Sequence, residues 1–409
     1  MKWRLNGLIL FVLVLFGTLF WNIYRLQIQE GNVYAARIES LLHAGFLAPK
    51  RGSIFVTDKY GNQIPVAIDR EYPTIFADPE KIKDAAGTAA LLAPIVGVEE
   101  ATLLRMFQKP NDEYELVRER VTNDMVQAVK DAHLKGIYLG KMNARFYPFG
   151  PLLAHVLGFV GPAEDGSVKG RYGLELLFDD ALRGAIADGE SRRNKKQADG
   201  EDIVLSIDRN IQTYAEETLE RIVKEFSAES GTVIVEDPKT GKILAMGSYP
   251  DFDPNEYKTY SIGTFLNPAV QAIYEPGSIA KVLTMAAALD AGAVTPETTF
   301  NDIGSLTLNQ KTIRNWDQKA HGTVTMTEVI EQSINTGAAF AARALGNERF
   351  LNYLTALGVN EKTGIELPGE VRGSLKSLGV GAREIHFATA SFGQGIAVTP
   401  IALASMIST

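Results

Sequence analysis

The sequence predicts an α+β protein whose second half packs helices on an antiparallel sheet. Apolar residues recur every three or four positions over residues 211–226, which is the period of an amphipathic helix. Two extended runs, at 231–235 and 242–246, flank a DPKTG turn and therefore predict a β-hairpin. Helix signals continue after the hairpin, and this order of elements is typical of an α+β domain.

The first element is an uncharged apolar run at residues 5–24, which follows Lys2 and Arg4. At about 1.5 Å per residue, a helix of this length can cross the apolar core of a bilayer. The positive flank should stay in the cytoplasm, so the remaining chain is expected on the periplasmic or extracellular side. A cleaved signal peptide is the rival interpretation, but no small-x-small pattern follows the run. We therefore expect residues 1–24 to form a cytoplasmic tip and an uncleaved, single-pass plasma-membrane anchor.

Residues 25–200 predict a stalk followed by a mixed region. A polar, charge-dense stretch at 189–202 marks the boundary to a second domain over residues 201–409. Acids flank the basic residues of that stretch, which favours a solvated loop over a lipid contact. The elements predicted before it are extended runs on both sides of a turn at 58–62, helices over 80–136 and a strand over 154–160.

The composition restricts the class of function. The chain has 409 residues and a formal net charge of −8, which argues against nucleic acid as its main partner. It contains no cysteine, so disulfides and thiol catalysis are excluded. Its five histidines are scattered without metal-ligand spacing. We expect neither a metal nor a cofactor.

A serine and a lysine in residues 274–281 (YEPGSIAK) are the first candidates for chemistry. Ser278 stands at the predicted start of an apolar helix that we expect to be buried, and Lys281 falls three residues later on the same face. Free N–H groups at a helix start favour a developing anion, and a lysine with a lowered pKa can take a proton from serine. For this motif alone, a helix-capping serine with an exposed lysine is the more common explanation.

A second group, Ser333 and Asn335, shifts that balance towards catalysis. Thr325 and Glu328 have the spacing of a capping box, and residues 333–335 (SIN) predict a turn between two helices. Alone, both residues are common in turns. With the serine–lysine helix, they supply a hydroxyl that can relay a proton and an amide that can hold a carbonyl. The two motifs together identify serine penicilloyl enzymes.

The order of these motifs resembles that of the class B penicillin-binding proteins, which are membrane-anchored peptidoglycan D,D-transpeptidases. Within that class, the chain is most similar to the cell-division and sporulation branch. The matching segments cover nearly the whole chain. They are residues 51–54 (RGSI) with Asp58 and Gly61, 147–148 (YP), 154–161 (AHVLGFVG), 173–175 (GLE) with 178–179 (FD) and 182–184 (LRG), 274–281, 321–325 (HGTVT), 333–335, 363–370 (TGIELPGE) and 393–395 (GQG).

The resemblance implies roles for the four candidate residues. Ser278 would attack the D-Ala-D-Ala carbonyl of a stem peptide, and Lys281 would accept its proton. Ser333 would pass the proton towards the leaving amine, and Asn335 would bind the substrate amide. The backbone N–H of Ser278 would supply half of an oxyanion hole.

The resemblance also implies an architecture and a set of partners. An elongated pedestal or dimerisation domain over residues 25–200 would carry a serine β-lactamase/transpeptidase-like domain over 201–409. The partners would be peptidoglycan stem peptides, their lipid-linked precursor, the membrane, a polytopic glycosyltransferase and divisome or elongation proteins, with β-lactams as inhibitors.

One departure from the family pattern concerns its third motif, Lys-Thr/Ser-Gly. This motif is expected well after residues 393–395, and the sequence ends at Thr409. The Lys-Thr-Gly at 362–364 precedes the GQG segment, so we interpret it as unrelated. We therefore expect a C-terminally truncated chain without its last strands, and a polypeptide without the third motif could be inactive.

Two other functions stay open from the sequence. The same fold could serve a D,D-carboxypeptidase or a penicillin-hydrolysing enzyme, although the long region before the catalytic domain argues against a β-lactamase. A non-catalytic scaffold or sensor is the alternative from another class. Glu275, beside the serine–lysine helix, is interpreted as a salt-bridge partner.

Overall fold

A computed structural model describes residues 2–25, 49–110, 112, 114–163, 167–184 and 199–409. The described helices are α1 (Lys2–Tyr24), α2 (Ala85–Val96), α3 (Glu100–Phe107), α4 (Asn123–Ala132), α5 (Ala154–Leu157), α6 (Gly173–Leu177), α7 (Asp179–Arg183), α8 (Arg209–Glu225), α9 (Pro268–Gln271), α10 (Ala280–Asp290), α11 (Met326–Glu331), α12 (Asn335–Leu345), α13 (Asn347–Ala356), α14 (Glu384–Ala390) and α15 (Pro400–Ser408). Single helical turns occur at Pro79–Lys81, Pro254–Thr259, Ile262–Phe265, Gly277–Ile279 and Lys376–Leu378.

The described strands belong to several separate sheets. They are β1 (Ile54–Thr57), β2 (Gln63–Ala77), β3 (Glu115–Arg118), β4 (Ile137–Phe146), β5 (Val160–Pro162), β6 (Val168–Gly170), β7 (Ile203–Asp208), β8 (Gly231–Asp237), β9 (Lys242–Tyr249), β10 (Thr299–Asp302), β11 (Ser305–Leu308), β12 (Lys311–Arg314) and β13 (Gly322–Thr325). The largest sheet has the order β3-β2-β1-β7, with β4 also paired to β2, and the other strands form two-stranded sheets. The mixture of helices and mostly antiparallel strands confirms the α+β class.

The apolar N-terminal run lies in α1. Over the ranges described, no helix combines the length and the apolar character needed to cross a membrane. The transmembrane helix predicted for residues 5–24 is therefore not found among the described helices. The predicted stalk and most of the predicted basic loop fall on residues 26–48 and 185–198, which lie outside the described residues.

The first half of the chain is organised around the long strand β2. Antiparallel pairing joins β2 to β4 without interruption from Ile68 opposite Phe146 to Ala77 opposite Ile137. Helices α2, α3 and α4 contribute Leu92, Leu103, Phe107 and Val129 to the core over this sheet. The helices predicted over residues 80–136 are thus confirmed, with the short strand β3 between them.

The apolar run at residues 154–160 is a short helix, α5, followed by β5, so the predicted strand is wrong. All four residues of α5 are buried. A continuous apolar run shows no period, and a buried strand and a buried helix then look alike in sequence. Gly158 follows α5 with a φ of +69°, and a Cβ there would lie 1.8 Å from the carbonyl oxygen of Tyr172.

A buried group of charges joins segments that are distant along the first half. The side chain of Glu175 is 0% exposed and accepts hydrogen bonds from Nε of Arg51 and Nε of Arg145, both at 2.6 Å. Arg51 also reaches Asp179 at 2.7 Å, and Arg145 donates to the carbonyl oxygen of Gly52. These contacts tie β4 and the segment directly before β1 to helices α6 and α7.

The hairpin predicted in the second half is β8 and β9, which pair from Gly231 opposite Tyr249 to Asp237 opposite Lys242. Helix α8 packs against it, as its apolar spacing predicts, but its buried face is rotated. Ile222 and Phe226 are exposed, whereas Gln212 is buried and its amide exchanges two hydrogen bonds with the backbone of Met246. The polar side chain faces the sheet because it satisfies the backbone there.

The two halves of the chain share contacts. Strand β7 precedes α8 and pairs in parallel with β1 of the first half. One hydrophobic core contains Ile54 and Leu157 from the first half together with Phe252 and Leu367 from the second. The domain boundary near residue 200 stays a prediction.

Helix α10 lies among the helices of the second half. Its residues Leu283 and Ala287 are buried in a core that also contains Phe350 and Leu403. Val282, in contrast, is 49% exposed. The apolar sequence of α10 had predicted a helix that is buried all round. In the part of the chain that the structure describes, α10 is buried on one side only.

Candidate acyl-transfer site

Ser278 lies in the helical turn Gly277–Ile279, which leads directly into α10. The turn is closed against the GQG segment, because the N–H of Gly277 donates to the carbonyl oxygen of Gly393 at 3.2 Å. The carboxylate of Glu275 accepts a hydrogen bond from the N–H of Gly395 at 2.8 Å, and the salt bridge expected for Glu275 is not found among the described residues. These contacts hold the backbone before Ser278, whose side chain faces solvent.

Lys281 is one turn deeper than Ser278 and only 2% exposed. Its Nζ donates to Ser278 Oγ at 3.2 Å, to Ser333 Oγ at 2.8 Å and to the carbonyl oxygen of Ser333 at 2.6 Å. Burial lowers the pKa of Lys281 to about 8. An amine with this pKa is partly neutral near physiological pH, whereas an exposed lysine is fully charged.

Ser333 completes a triangle of two hydroxyls and one amine. Its Oγ lies 3.1 Å from Ser278 Oγ and 2.8 Å from Lys281 Nζ. Its backbone adopts a φ of +54°, a left-handed conformation that is uncommon for serine. The next residue, Ile334, is fully buried and anchors the bend between α11 and α12. The predicted turn therefore brings Ser333 to the other two residues.

Asn335 starts α12, and the recorded contacts do not bring its side chain to Ser278. Its Nδ2 donates to the carbonyl oxygen of Arg314 at 2.9 Å, at the end of β12. This bond uses one of the two amide hydrogens. Three of the four predicted residues thus meet directly, while the side chain of Asn335 contacts the end of β12.

A cleft of about 640 Å³ opens in front of these groups. Its volume lies in the range of pockets that hold small molecules. Apart from Ser278 and Ser333, it is lined by Trp316, Asp317, His321, Glu331 and Gln332. Sequence reasoning had not singled out any of these five as site residues. A tryptophan within the polar segment at residues 314–319 (RNWDQK) is the signal in the sequence that could have indicated this site. In the structure Trp316 is 72% exposed.

The Lys-Thr-Gly sequence at residues 362–364 forms part of a structural turn. The backbone N–H and the hydroxyl of Thr363 both donate to Glu370 Oε1, and the N–H of Gly364 donates to its other oxygen. Across the described ranges, no group of three or more potential ligand side chains is arranged to hold a metal ion.

Comparisons with known proteins match two families along the chain. The family described as "Penicillin binding protein transpeptidase domain" matches residues 231–409, and the "Penicillin-binding Protein dimerisation domain" matches residues 46–214. The stage V sporulation protein D of Bacillus subtilis is 32% identical over 88% of this chain and 57% of that protein. The probable peptidoglycan D,D-transpeptidase PenA of Neisseria gonorrhoeae is 30% identical over 98% of this chain and 70% of that protein.

A solved structure supports the same assignment. The peptidoglycan synthetase of Bifidobacterium adolescentis superposes with a TM-score of 0.62 at 26% identity, over 88% of this chain and 72% of that one. The fold, the two matched domains and these relatives show that the chain belongs to the class B penicillin-binding proteins. It spans 57% of the length of the Bacillus relative.

Proposed function

We propose that the protein is a serine-type peptidoglycan D,D-transpeptidase that cross-links stem peptides for cell-wall synthesis. The observation that carries this proposal is the buried Lys281 amine, which contacts the hydroxyls of Ser278 at 3.2 Å and Ser333 at 2.8 Å. A serine hydroxyl becomes nucleophilic when a neighbouring base takes its proton, and an amine with a pKa of about 8 suits that task. The relatives named as D,D-transpeptidases supply the substrate class.

In the first step, Ser278 Oγ attacks the carbonyl carbon between the two terminal D-alanines while neutral Lys281 accepts its proton. The N–H groups at the start of α10 stabilise the oxyanion of the tetrahedral intermediate. The carbon–nitrogen bond then breaks. The terminal D-alanine leaves as an amine, after Ser333 relays the proton from Lys281 to its nitrogen. The product is an ester between Ser278 and the shortened stem peptide.

In the second step, the amine of a neighbouring stem peptide attacks the ester carbonyl. Its proton passes through Ser333 and Lys281 to Ser278 Oγ as the ester bond breaks, and a new amide links the two peptides. Asn335, beside Ser333, binds the amide of the donor peptide through its remaining side-chain groups. A β-lactam stops the cycle at the acyl-enzyme, because its ring carbonyl acylates Ser278 and the adduct hydrolyses slowly.

Fluorescent penicillin tests the nucleophile. The full-length protein should be labelled covalently, mass spectrometry should locate the adduct on Ser278, and Ser278→Ala should remove the label. Ser261→Ala is the matched control, because this exposed serine contacts only Thr264 among its recorded hydrogen bonds. Labelling that persists in Ser278→Ala and is absent from the Ser278 peptide would exclude this function.

The fate of the acyl group separates transfer from hydrolysis. A stem peptide ending in D-Ala-D-Ala is incubated with the protein and an amine acceptor, and the products are identified by mass. Cross-linked peptide supports the transpeptidase. Shortened peptide without cross-links would instead indicate the D,D-carboxypeptidase, and the absence of both products would favour the scaffold or sensor.

Further partners belong to the same proposal. A lipid-linked precursor, a polytopic glycosyltransferase and divisome or elongation proteins follow from the family, and attachment to the plasma membrane rests on the uncharged run at residues 5–24. Extraction of cell membranes at alkaline pH tests the attachment. An anchored protein stays in the pellet, and release into the supernatant would contradict the anchor.

A further inference from the structure

A buried carboxylate, Asp302, lies at the end of β10 behind the cleft. Its side chain is 0% exposed. Oδ1 accepts hydrogen bonds from Thr336 Oγ1 at 2.7 Å and from the N–H of Gly304 at 2.9 Å. Oδ2 accepts from Asn315 Nδ2 at 2.7 Å and contacts His321 Nδ1 at 2.7 Å. We call Asp302, Asn315, His321 and Thr336 the Asp302 hub.

The charge of this carboxylate is retained inside the protein. Burial alone would raise the pKa of Asp302, but hydrogen bonds from Thr336, His321 and Gly304 hold the pKa below its ordinary value. Burying a charge costs free energy unless its acceptor sites are used, and both oxygens of Asp302 accept hydrogen bonds. The carboxylate therefore holds Asn315, His321 and Thr336 at one point.

Two segments next to the cleft meet at the Asp302 hub. The first is the start of α12, where Thr336 follows Asn335 shortly after the lining residue Ser333. The second is the segment at residues 314–317, which we call the rim. Asn335 Nδ2 donates to the carbonyl oxygen of Arg314, and the N–H of Thr336 donates to Asn315 Oδ1 at 3.2 Å. The hub thus fixes the distance between Asn335 and the rim.

The rim in turn reaches the active serines. Trp316 Nε1 donates to the carbonyl oxygen of Gln332 at 3.3 Å, immediately before Ser333. His321 connects the buried carboxylate of Asp302 to the rim, since its Nδ1 contacts Asp302 and its Nε2 lies 3.2 Å from Asp317. Asp317 and Trp316 both line the cleft.

We propose that Asp302 is a positioning residue that sets the rim and Asn335 at the correct distance from Ser278 for the donor peptide. The inference rests on the proposed acyl transfer for its substrate. It predicts that loosening the hub weakens substrate binding and leaves the proton transfer intact, because no hub atom contacts the Lys281 amine in the hydrogen bonds recorded for the described residues.

Thr336→Val and Thr336→Ser form the matched pair of variants. Valine keeps the shape but removes the hydroxyl that donates to Asp302, and serine keeps the hydroxyl. Acylation by penicillin is measured as a dissociation constant for the initial complex and a rate at saturation. Thr336→Val should raise the dissociation constant by up to about tenfold, because binding must then order the loosened rim at a cost no greater than that of one buried hydrogen bond, while the pH midpoint of the rate is unchanged. Thr336→Ser should restore wild-type binding.

A spectroscopic readout tests the rim without any chemistry. The chain has three tryptophans, and Trp3→Phe with Trp21→Phe leaves Trp316 as the only tryptophan, which is excited at a wavelength that tyrosine does not absorb. In this background Thr336→Val should lower the fluorescence anisotropy of Trp316, because the rim moves more freely, and Thr336→Ser should not. If Thr336→Val fails to fold, His321→Ala replaces it, since it removes the imidazole contacts with Asp302, Asn315 and Asp317 and keeps the backbone hydrogen bond from residue 321 to Asp302.

The outcomes separate this inference from the proposed function. If the wild-type protein is not acylated at Ser278, the proposed function fails, while the anisotropy still tests the hub. If folded Thr336→Val matches Thr336→Ser in both binding and anisotropy, the positioning role of Asp302 is wrong. A shifted pH midpoint in Thr336→Val would also overturn it, because the hub would then act through Lys281.

Discussion

The amine of Lys281 lies 3.2 Å from the hydroxyl of Ser278, and the same amine lies 2.8 Å from the hydroxyl of Ser333. The lysine is 2% exposed, so water does not compete strongly for its three donors. This arrangement gives one base access to both hydroxyls. A proton taken from Ser278 can therefore reach a leaving group near Ser333 without crossing solvent.

The first prediction concerns the base itself. Lys281→Met keeps the length of the side chain and removes the amine, so acylation by penicillin should slow by about 10²- to 10⁴-fold, the usual contribution of a general base. Stopped-flow or gel-based labelling measures the rate. Lys224→Met on the surface of α8 is the control, because that exposed amine pairs with Glu220 and lies over the ring of Tyr249. Equal rates in the two variants would exclude Lys281 as the base.

The second prediction follows from the lowered pKa of Lys281. Only the neutral amine can accept a proton, so the acylation rate should increase about tenfold per pH unit below pH 8 and level off above it. The pH profile of the acylation rate at saturating penicillin measures this midpoint. A profile that is flat between pH 6 and about 9 would contradict a titrating amine of this kind.

The same pKa shift affects stability in a defined direction. Because burial lowers the pKa of Lys281 in the folded state, the unfolded chain binds this proton more tightly. Between about pH 8 and the ordinary lysine value of 10.5, the free energy of unfolding should therefore gain a positive contribution as pH rises. The free energy of unfolding is measured across this pH window for the wild type and for Lys281→Met. The difference between the two isolates the contribution of Lys281, since the variant lacks the titrating group.

The third prediction separates the chemistry of Ser333 from its backbone. Ser333→Ala removes the hydroxyl but keeps the left-handed φ of +54°, which costs a non-glycine residue about 1 kcal/mol. Ser333→Gly removes the hydroxyl and accepts that conformation easily, although glycine loses more entropy on folding. Both variants should lose acylation alike, while Ser333→Gly melts at or above the temperature of Ser333→Ala. Normal acylation in Ser333→Gly would remove Ser333 from the proton path.

The contact between Ser278 and Lys281 was predictable from local sequence, whereas the approach of Ser333 to Lys281, 52 residues along the chain, was expected only from the pairing of the two motifs and the family resemblance. Ser278 and Lys281 are three residues apart at a helix start, and such residues share a face. Ser333 follows a capping-box helix, and the box between Thr325 and Glu328 is present. The amphipathic pattern and the DPKTG turn likewise predicted α8 and the hairpin. Local rules describe these elements well.

The other wall of the cleft could not be predicted, because its contacts join residues that are distant in sequence. Asp302 meets His321 across 19 residues and Thr336 across 34. Aspartate, asparagine and threonine at such separations have no distinguishing spacing, and the buried polar network appears only after the chain has folded. The strand predicted at residues 154–160 failed for another reason, since a run without a period does not distinguish α5 from a buried strand.

The fourth prediction concerns the buried charges of the first half. Glu175→Gln keeps the size of the side chain but leaves Arg51 and Arg145 without their shared carboxylate, which is 0% exposed. Breaking a buried ion pair in this way should cost about 3–5 kcal/mol of unfolding free energy. Denaturant unfolding measures the loss. Asp180→Asn is the control, because its side chain is 97% exposed and its pairing with Arg183 should not change the midpoint.

The fifth prediction uses two glycines with nearly the same backbone conformation. Gly393 has a φ of +82° and Gly364 a φ of +80°, so alanine at either position should cost about 1–2 kcal/mol from conformation alone. Their surroundings differ. A Cβ at Gly393 would lie 2.1 Å from the carbonyl oxygen of Gly277, directly before Ser278, whereas a Cβ at Gly364 meets nothing within 4 Å.

Gly393→Ala should therefore displace the turn that carries Ser278, whereas Gly364→Ala should only lower stability. The acylation rate of Gly393→Ala should fall well below that of Gly364→Ala at a temperature where both variants are folded, because the hydroxyl then leaves the reach of Lys281. Circular dichroism checks the folding, and penicillin labelling measures the rate. Equal acylation in the two folded variants would mean that the contact between Gly277 and Gly393 does not position the nucleophile.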